Sequence, residues 1–250
     1  MGFNFFMKRP QSDLPVEKKP VVKVIDKKPQ IEPVSHDANN QEVKPVYGFI
    51  DASNLFWGGK ASLGFNIDYK KFLNYLKTKY GITKVFYYGG IRTFEFEYSI
   101  LDNKPLDLTK LQEFLSEKYS EADADTKTKI EISQNKLNFY ILLESYGYIM
   151  KIKPAKVFYN EDDEEHNLPL LKANCDVDMT FDLMRYMEQY SGAVVMTGDG
   201  DFSPVLSYLK YHDRAIYVIS RWSRTASEIK KVAENNFIDL ERLRNIIIYR

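Results

Sequence analysis

Hydrophobic residues along this chain alternate between short continuous runs and stretches with helical spacing, and the switches mark out alternating strands and helices. The run VYGFID, Val46 to Asp51, reads as a strand that ends in an acid. Tyr69 to Tyr80 follows as a helix carrying Phe72, Leu73 and Leu76 on one side, and Gly81 closes it. Val85 to Tyr88 is a second strand, stopped by Gly89-Gly90. Strand, helix and strand imply a right-handed parallel crossover. From Leu108 to Tyr146 the pattern is helical but uneven. Leu108, Leu111, Phe114 and Leu115 make one stripe, Leu137, Tyr140 and Ile141 another, and the polar SEADADTKTK separates them. One long helix or two helices projecting past the sheet fit that pattern. Tyr148 to Ile152 gives a third strand. Val157 to Tyr159 and Leu168 to Leu171 flank the acidic NEDDEEH, as a small hairpin or as a disordered loop.

A further helix starts near Asp176, with Met179, Leu183, Met184 and Met187 expected in the core as filler. Ala193 to Met196 then reads as a strand buried on both faces, halted by Thr197-Gly198-Asp199-Gly200-Asp201. Ser203-Pro204 has the form of an N-cap and a first-turn proline, so another helix begins there. Ala215 to Ile219 is the fifth strand, and SRTASEIKKVAENNFIDLERL supplies a last helix and a short apolar end segment. The alternation predicts an α/β fold, a mostly parallel, doubly wound sheet of about five strands with helices on both faces. A long helical insert occupies about residues 106–147. Residues 1–45 are rich in Pro, Lys, Gln and Asn without a period, the composition of a disordered arm, and 46–250 make the folded domain.

With 250 residues, 44% of them hydrophobic, the chain can bury a core of ordinary size. Its 35 basic and 35 acidic residues cancel, so a polyanion must be held by a local patch or through metal ions rather than by bulk charge. One cysteine, Cys175, excludes an internal disulfide and points to a reducing, cytoplasmic setting. The three histidines lack zinc-ligand spacing, and no apolar run is long enough to span a membrane.

The layout gathers acids at strand ends and at one helix start: Asp51, Asp199 and Asp201, with Asp176, Asp178 and Asp182. Asp178 and Asp182 share a helix face, and Asp176 joins Asp182 at the site only from the N-cap or before it, so either Asp176 or Asp178 can point inward. Crowded carboxylates take up protons or bind a cation. Oxygen ligands without His or Cys suit Mg2+ or Mn2+, and a pair of such ions can drive in-line hydrolysis of a phosphodiester. An EF-hand calcium loop is excluded, because Phe202, Pro204 and Val205 stand where further ligands would be needed.

FIDASNL, KANCDVDMTFD and MTGDGDFSPVL, in that order, resemble the NYN domain family of PIN-like ribonucleases, particularly its LabA-like branch. The resemblance runs over roughly residues 46–243. It implies a Rossmann-like PIN-type fold and Mg2+- or Mn2+-dependent RNA cleavage, with Asp51, Asp176, Asp182, Asp199 and Asp201 as catalytic and metal-binding acids. Asn54 would orient Asp51 or a phosphate and Ser203 would contact substrate, the alternative for each being to satisfy backbone groups. Lys172 belongs to the middle motif, and Thr197 keeps the hydroxyl of the serine usual at the last one. Ala173 and Asn174 depart from the family's glycine and valine, and Glu234-Asn235-Asn236 from its alanine-aspartate pair. Arg92, Lys172, Arg221 and Arg224 are candidate phosphate contacts, and Trp222 and Trp57 candidate stacking surfaces, against simple packing at a domain edge.

The expected function is a cytoplasmic metal-dependent endoribonuclease with RNA as its partner and no membrane association. The alternative is a catalytically weak RNA- or protein-binding module of the same fold, with the insert and the N-terminal arm mediating self-association or a protein contact. DNA as substrate is a third, weaker reading. Retention of all the acids favours the enzyme, because a pure binding module gains nothing from that much negative charge beside a phosphate.

Overall fold

In a computed structural model of the chain, the described residues are 44–53, 64–99, 101, 104–158 and 170–249, with only the backbone described at 157, 158 and 170–172. The strands are β1 (Val46–Asp51), β2 (Ile82–Ile91), β3 (Ile149–Pro154), β4 (Lys156–Phe158), β5 (Leu170–Lys172), β6 (Gly192–Met196), β7 (Ala215–Ser220) and β8 (Phe237–Asp239). The α-helices among the described residues are α1 (Tyr69–Tyr80), α2 (Leu108–Glu121), α3 (Ala124–Tyr146), α4 (Asp176–Arg185), α5 (Ser203–Tyr211), α6 (Ser227–Ala233) and α7 (Arg244–Ile247). By its contacts the chain divides into Met1–Gln41 and Glu42–Arg250, and every described residue lies in the second unit.

Six strands form one parallel sheet in the order β3-β2-β1-β6-β7-β8. The central strands β1, β2 and β6 are buried on both faces because their alternating side chains feed two separate cores. Ile50, Val85, Tyr87, Val194 and Met196 join the residues of α1, α2 and α3 in one core. Tyr47, Phe49, Phe86, Tyr88 and Val195 join those of α4, α5 and α6 in the other. The sheet is the mostly parallel, Rossmann-like α/β sheet expected, with one strand more. The sixth, β8, is the Phe237-Ile238-Asp239 piece of the apolar end segment, too short to show a period of its own.

Local chemistry explains the element ends. Asp68, Asp107 and Asp123 each cap a helix by accepting from the backbone N–H three residues on, in Lys71, Lys110 and Thr126. The cap at Asp123 resolves the uneven stretch 108–146 into two helices. Gln112 donates to Asn138 at 2.8 Å and Tyr119 to Glu131 at 2.7 Å, so α2 and α3 run antiparallel as a hairpin. The polar SEADADTKTK is therefore largely the tip of this hairpin, and its apolar stripes close on Leu111, Leu115, Ile130 and Leu137. Gly81 and Gly147 end α1 and α3 with φ of 64° and 102°, a conformation that favours glycine.

β4 and β5 pair antiparallel, so their flanks form the small hairpin, while the acidic loop between them lies outside the described residues. So do the N-terminal arm up to residue 43, Asn54 and Trp57. Two expectations change. Met184 is 36% exposed, because α4 turns just Met179, Asp182 and Leu183 fully inward, and Met187, in the 3-10 turn beyond the end of α4, is only partly buried. Ser203 is the first residue of α5 rather than its cap. A 3-10 turn, Gly200–Phe202, runs into the helix, and Asp199 caps that turn instead.

Candidate active site

The sheet order reverses direction between β1 and β6. From β1 the chain moves outward through β2 and β3, then returns to place β6 on the other side of β1. Crevices for ligands open at the carboxyl ends of strands at such a switch point. Asp51 is the last residue of β1, and Thr197 to Asp201 follow directly on β6.

Short-range bonds shape the segments that carry these acids. Asp51 is 5% exposed, and its Oδ1 accepts from the Ser53 N–H at 2.9 Å and from the Ser53 hydroxyl at 2.6 Å. After β6, two nested turns shape the acidic loop. The Thr197 hydroxyl accepts from the Asp199 N–H at 3.2 Å, and Asp199 Oδ1 accepts from the Asp201 N–H at 3.0 Å. Gly200 lets this loop sit against the next one, since a Cβ there would stand 3.2 Å from the Ala226 methyl. The third contribution comes from α4, whose first residue is Asp176. Asn174 Oδ1 accepts from the Asp176 N–H at 3.0 Å. The segment leading into α4 crosses β2 at Gly90, where any Cβ would overlap the Ala173 methyl.

Electrostatics tie these pieces together. Burial, followed by the charges of Asp51, Asp199 and Asp201, pushes the Asp176 carboxyl above its usual range, with Lys153 opposing. Three carboxylates thus act on a fourth, Asp176, at the switch point. Asp178, two residues from the start of α4, forms an ion pair with Lys153 and is about half exposed. Asp182, a turn further on, is drawn elsewhere. Its Oδ2 accepts from the Tyr88 hydroxyl at 3.0 Å and lies 3.2 Å from Lys151 Nζ, and its Oδ1 lies 2.8 Å from Arg185. Burial, then the Asp182 charge, raises the Tyr88 phenol, which stays protonated and donates. Asp182 therefore anchors α4 to β2 and β3.

Other expected site residues separate in the same way. Thr197 is fully buried, and its hydroxyl shapes the acidic loop by accepting from the Asp199 N–H. Ser203 is half-buried beside that loop. Arg221 and Trp222 lie after β7, and Lys172 ends β5 with its backbone paired to Lys156. Arg92 stacks on Phe94, its guanidinium 4.5 Å from the ring centre. Sequence reasoning missed Lys151, Lys153 and Tyr88. A signal existed: in MKIKP, alternate strand positions put both lysines on one face, opposite the core residues Met150 and Ile152.

The acids offer carboxylate oxygens, donors that suit a hard divalent cation, and burial pushes the neighbouring Cys175 thiol up and keeps it protonated. No group of three or more His, Cys, Asp and Glu side chains stands close enough to grip an ion among the described residues. Mg2+ commonly takes one or two carboxylates and fills its other positions with water and substrate phosphate. Asp176 and the acids whose charges act on it, Asp51, Asp199 and Asp201, are the residues that would hold such an ion.

A family model described as the NYN domain matches residues 45–241. The chain belongs to the NYN domain family. The family is RNA-related, and its members are generally ribonucleases that use divalent metals. The low amplitude and bright protein LabA of Synechococcus elongatus is 31% identical over 120 residues, 48% of this chain and 63% of LabA, which puts the chain in the LabA-like branch. The match thus spans under two thirds of that relative. In fold, the NYN chain is similar to VPA0982 of Vibrio parahaemolyticus, a protein of unknown function, with a TM-score of 0.51 and 15% identity over 84% of this chain and 100% of that one. A looser likeness joins it to the T5 D15 protein crystallised with metal ions, with a TM-score of 0.37 and 13% identity over 74% of this chain and 59% of that one. No described helix is long and apolar enough to cross a membrane.

Proposed function

We propose that this NYN chain is a metal-dependent endoribonuclease whose centre is formed by Asp51, Asp176, Asp199 and Asp201, with Mg2+ or Mn2+ as the cofactor. The observation that carries the reading is the meeting of acids from β1, β6 and α4 at the switch point, where burial and then the charges of Asp51, Asp199 and Asp201 raise the Asp176 carboxyl. A divalent ion among them would relieve that repulsion, polarise a phosphodiester and lower the pKa of an attacking water. The protein's own part is orientation. Ser53 holds Asp51, the nested turns aim Asp199 and Asp201, and Lys153 tempers the negative field. Asp182 is left out of the metal set, because Tyr88, Lys151 and Arg185 already satisfy both its oxygens.

Family membership supports RNA as the substrate, and the single buried cysteine, its thiol pushed up to about 12 by burial, accords with a reducing cytoplasm. The test is cleavage of mixed single-stranded and structured RNA by the purified chain in Mg2+ or Mn2+. Cutting that stops on chelation and is lost in Asp199→Asn supports the enzyme. RNA binding without cutting under every metal condition would instead favour the binding-module reading.

A further inference from the structure

The chain is neutral overall, yet residues 221–231 carry four basic residues, Arg221, Arg224, Lys230 and Lys231, against one acid, Glu228. This basic stretch is joined directly to the acidic loop: the Ala226 N–H donates to the Gly198 carbonyl at 2.9 Å, and Gly200 packs on Ala226. At its head stands Trp222, 53% exposed. Its ring is not loose. Phe237 meets it at 5.2 Å with planes at 82°, and Lys230 Nζ lies 4.4 Å from its centre. The backbone beneath is a 3-10 turn tied by the buried Thr225, whose hydroxyl donates to the Arg221 carbonyl at 2.7 Å. A large aromatic surface is thus held rigid, half in water, beside cations and one loop away from a cluster of acids.

We propose that Trp222 is a stacking platform for an unpaired base of the RNA strand whose phosphate lies at the acidic centre. The proposal rests on the ribonuclease reading and adds to it where the neighbouring nucleotide goes. A base presents a π-face that stacks on an aromatic ring, and Lys230 at the ring supplies a positive charge for the adjoining phosphate. A ring already fixed by Phe237 loses little freedom when the base arrives. In a continuous duplex the bases are occupied with one another, so the platform selects a single-stranded stretch next to the cut.

The experiment measures anisotropy of a labelled oligouridine strand and of a labelled RNA duplex in an Asp199→Asn background, which keeps the strand intact. In that background Trp222→Ala is expected to weaken binding of the single strand about 5- to 100-fold, Trp222→Phe to restore most of it, and duplex binding to stay unchanged. Equal binding of the strand with and without the indole, or equal loss for strand and duplex, overturns the proposal. Cleavage of the same strand in Mn2+ by chains with native Asp199 separates the two ideas. Cutting by both the Trp222 and the Trp222→Ala chains with the same KM removes the platform and leaves the nuclease. Indole-dependent binding with no cutting removes the nuclease and leaves the platform.

Discussion

Gly90→Ala is expected to cripple the centre from a position that carries no reactive group. A Cβ at Gly90 would overlap the Ala173 methyl, and one of the two chain segments must move about an ångström or more to restore ordinary contact. The strand cannot easily yield. Gly90 is in register with Lys153 on β3, its carbonyl accepts from the Tyr140 hydroxyl at 3.0 Å, and the next residue accepts from the Ala155 N–H at 2.8 Å. The segment 173–175 therefore gives way, and it leads straight into Asp176. Overpacking of this kind costs about 1–3 kcal/mol of stability. Displacing a reacting group by about 1 Å costs roughly 100-fold in rate, so the fall in kcat/KM for RNA should exceed what the loss of fold alone explains. Urea unfolding and steady-state cleavage measure the two effects separately. Ala173→Gly removes the offending methyl, so the double variant should regain most of both. A double variant as impaired as Gly90→Ala alone would refute the reasoning, as would a single variant with native activity.

Three further outcomes follow from the same geometry. Asp182→Asn leaves Lys151, Arg185 and Tyr88 without their carboxylate and should cost about 1–3 kcal/mol in urea unfolding, whereas the exposed Asp201→Asn should cost almost nothing. Because the Asp176 pKa is raised in the folded state, its ionisation opposes folding: stability from its neutral form is full below the ordinary carboxylate pKa and lost as pH rises through the raised value. Metal-free Asp176→Asn should therefore melt higher than the native chain at neutral pH, and the difference should vanish in acid. Asp123→Ala removes the cap of α3 and should cost about 0.5–2 kcal/mol, read as a lower melting temperature with unchanged KM for RNA.

Much of the sheet was legible because its strands, VYGFID and GAVVM among them, are apolar runs that end in glycines or acids. The position of the acidic loops followed from the same boundaries. What could not be read were features decided between elements. β8 is three residues long and exists because β7 offers it an edge, and α2 and α3 separate at a cap that resembles the polar residues around it. The roles of neighbouring aspartates were equally hidden. Asp176, Asp178 and Asp182 look alike in sequence, but the strand lysines select among them, Lys153 taking Asp178 and Lys151 taking Asp182. Thr197 was legible as a hydroxyl and not as a buried one, since burial depends on how the loop folds back against Ala226.

Manganese binding tests the central claim most directly, followed by the electron paramagnetic resonance signal of free Mn2+ during titration of the native chain and of Asp51→Asn, Asp176→Asn, Asp199→Asn and Asp182→Asn. The account expects the native chain and Asp182→Asn, where still folded, to take up the ion alike, and the other three to bind it far more weakly. Native uptake by Asp176→Asn and Asp199→Asn together with its loss in Asp182→Asn would contradict the account and move the metal to the base of α4.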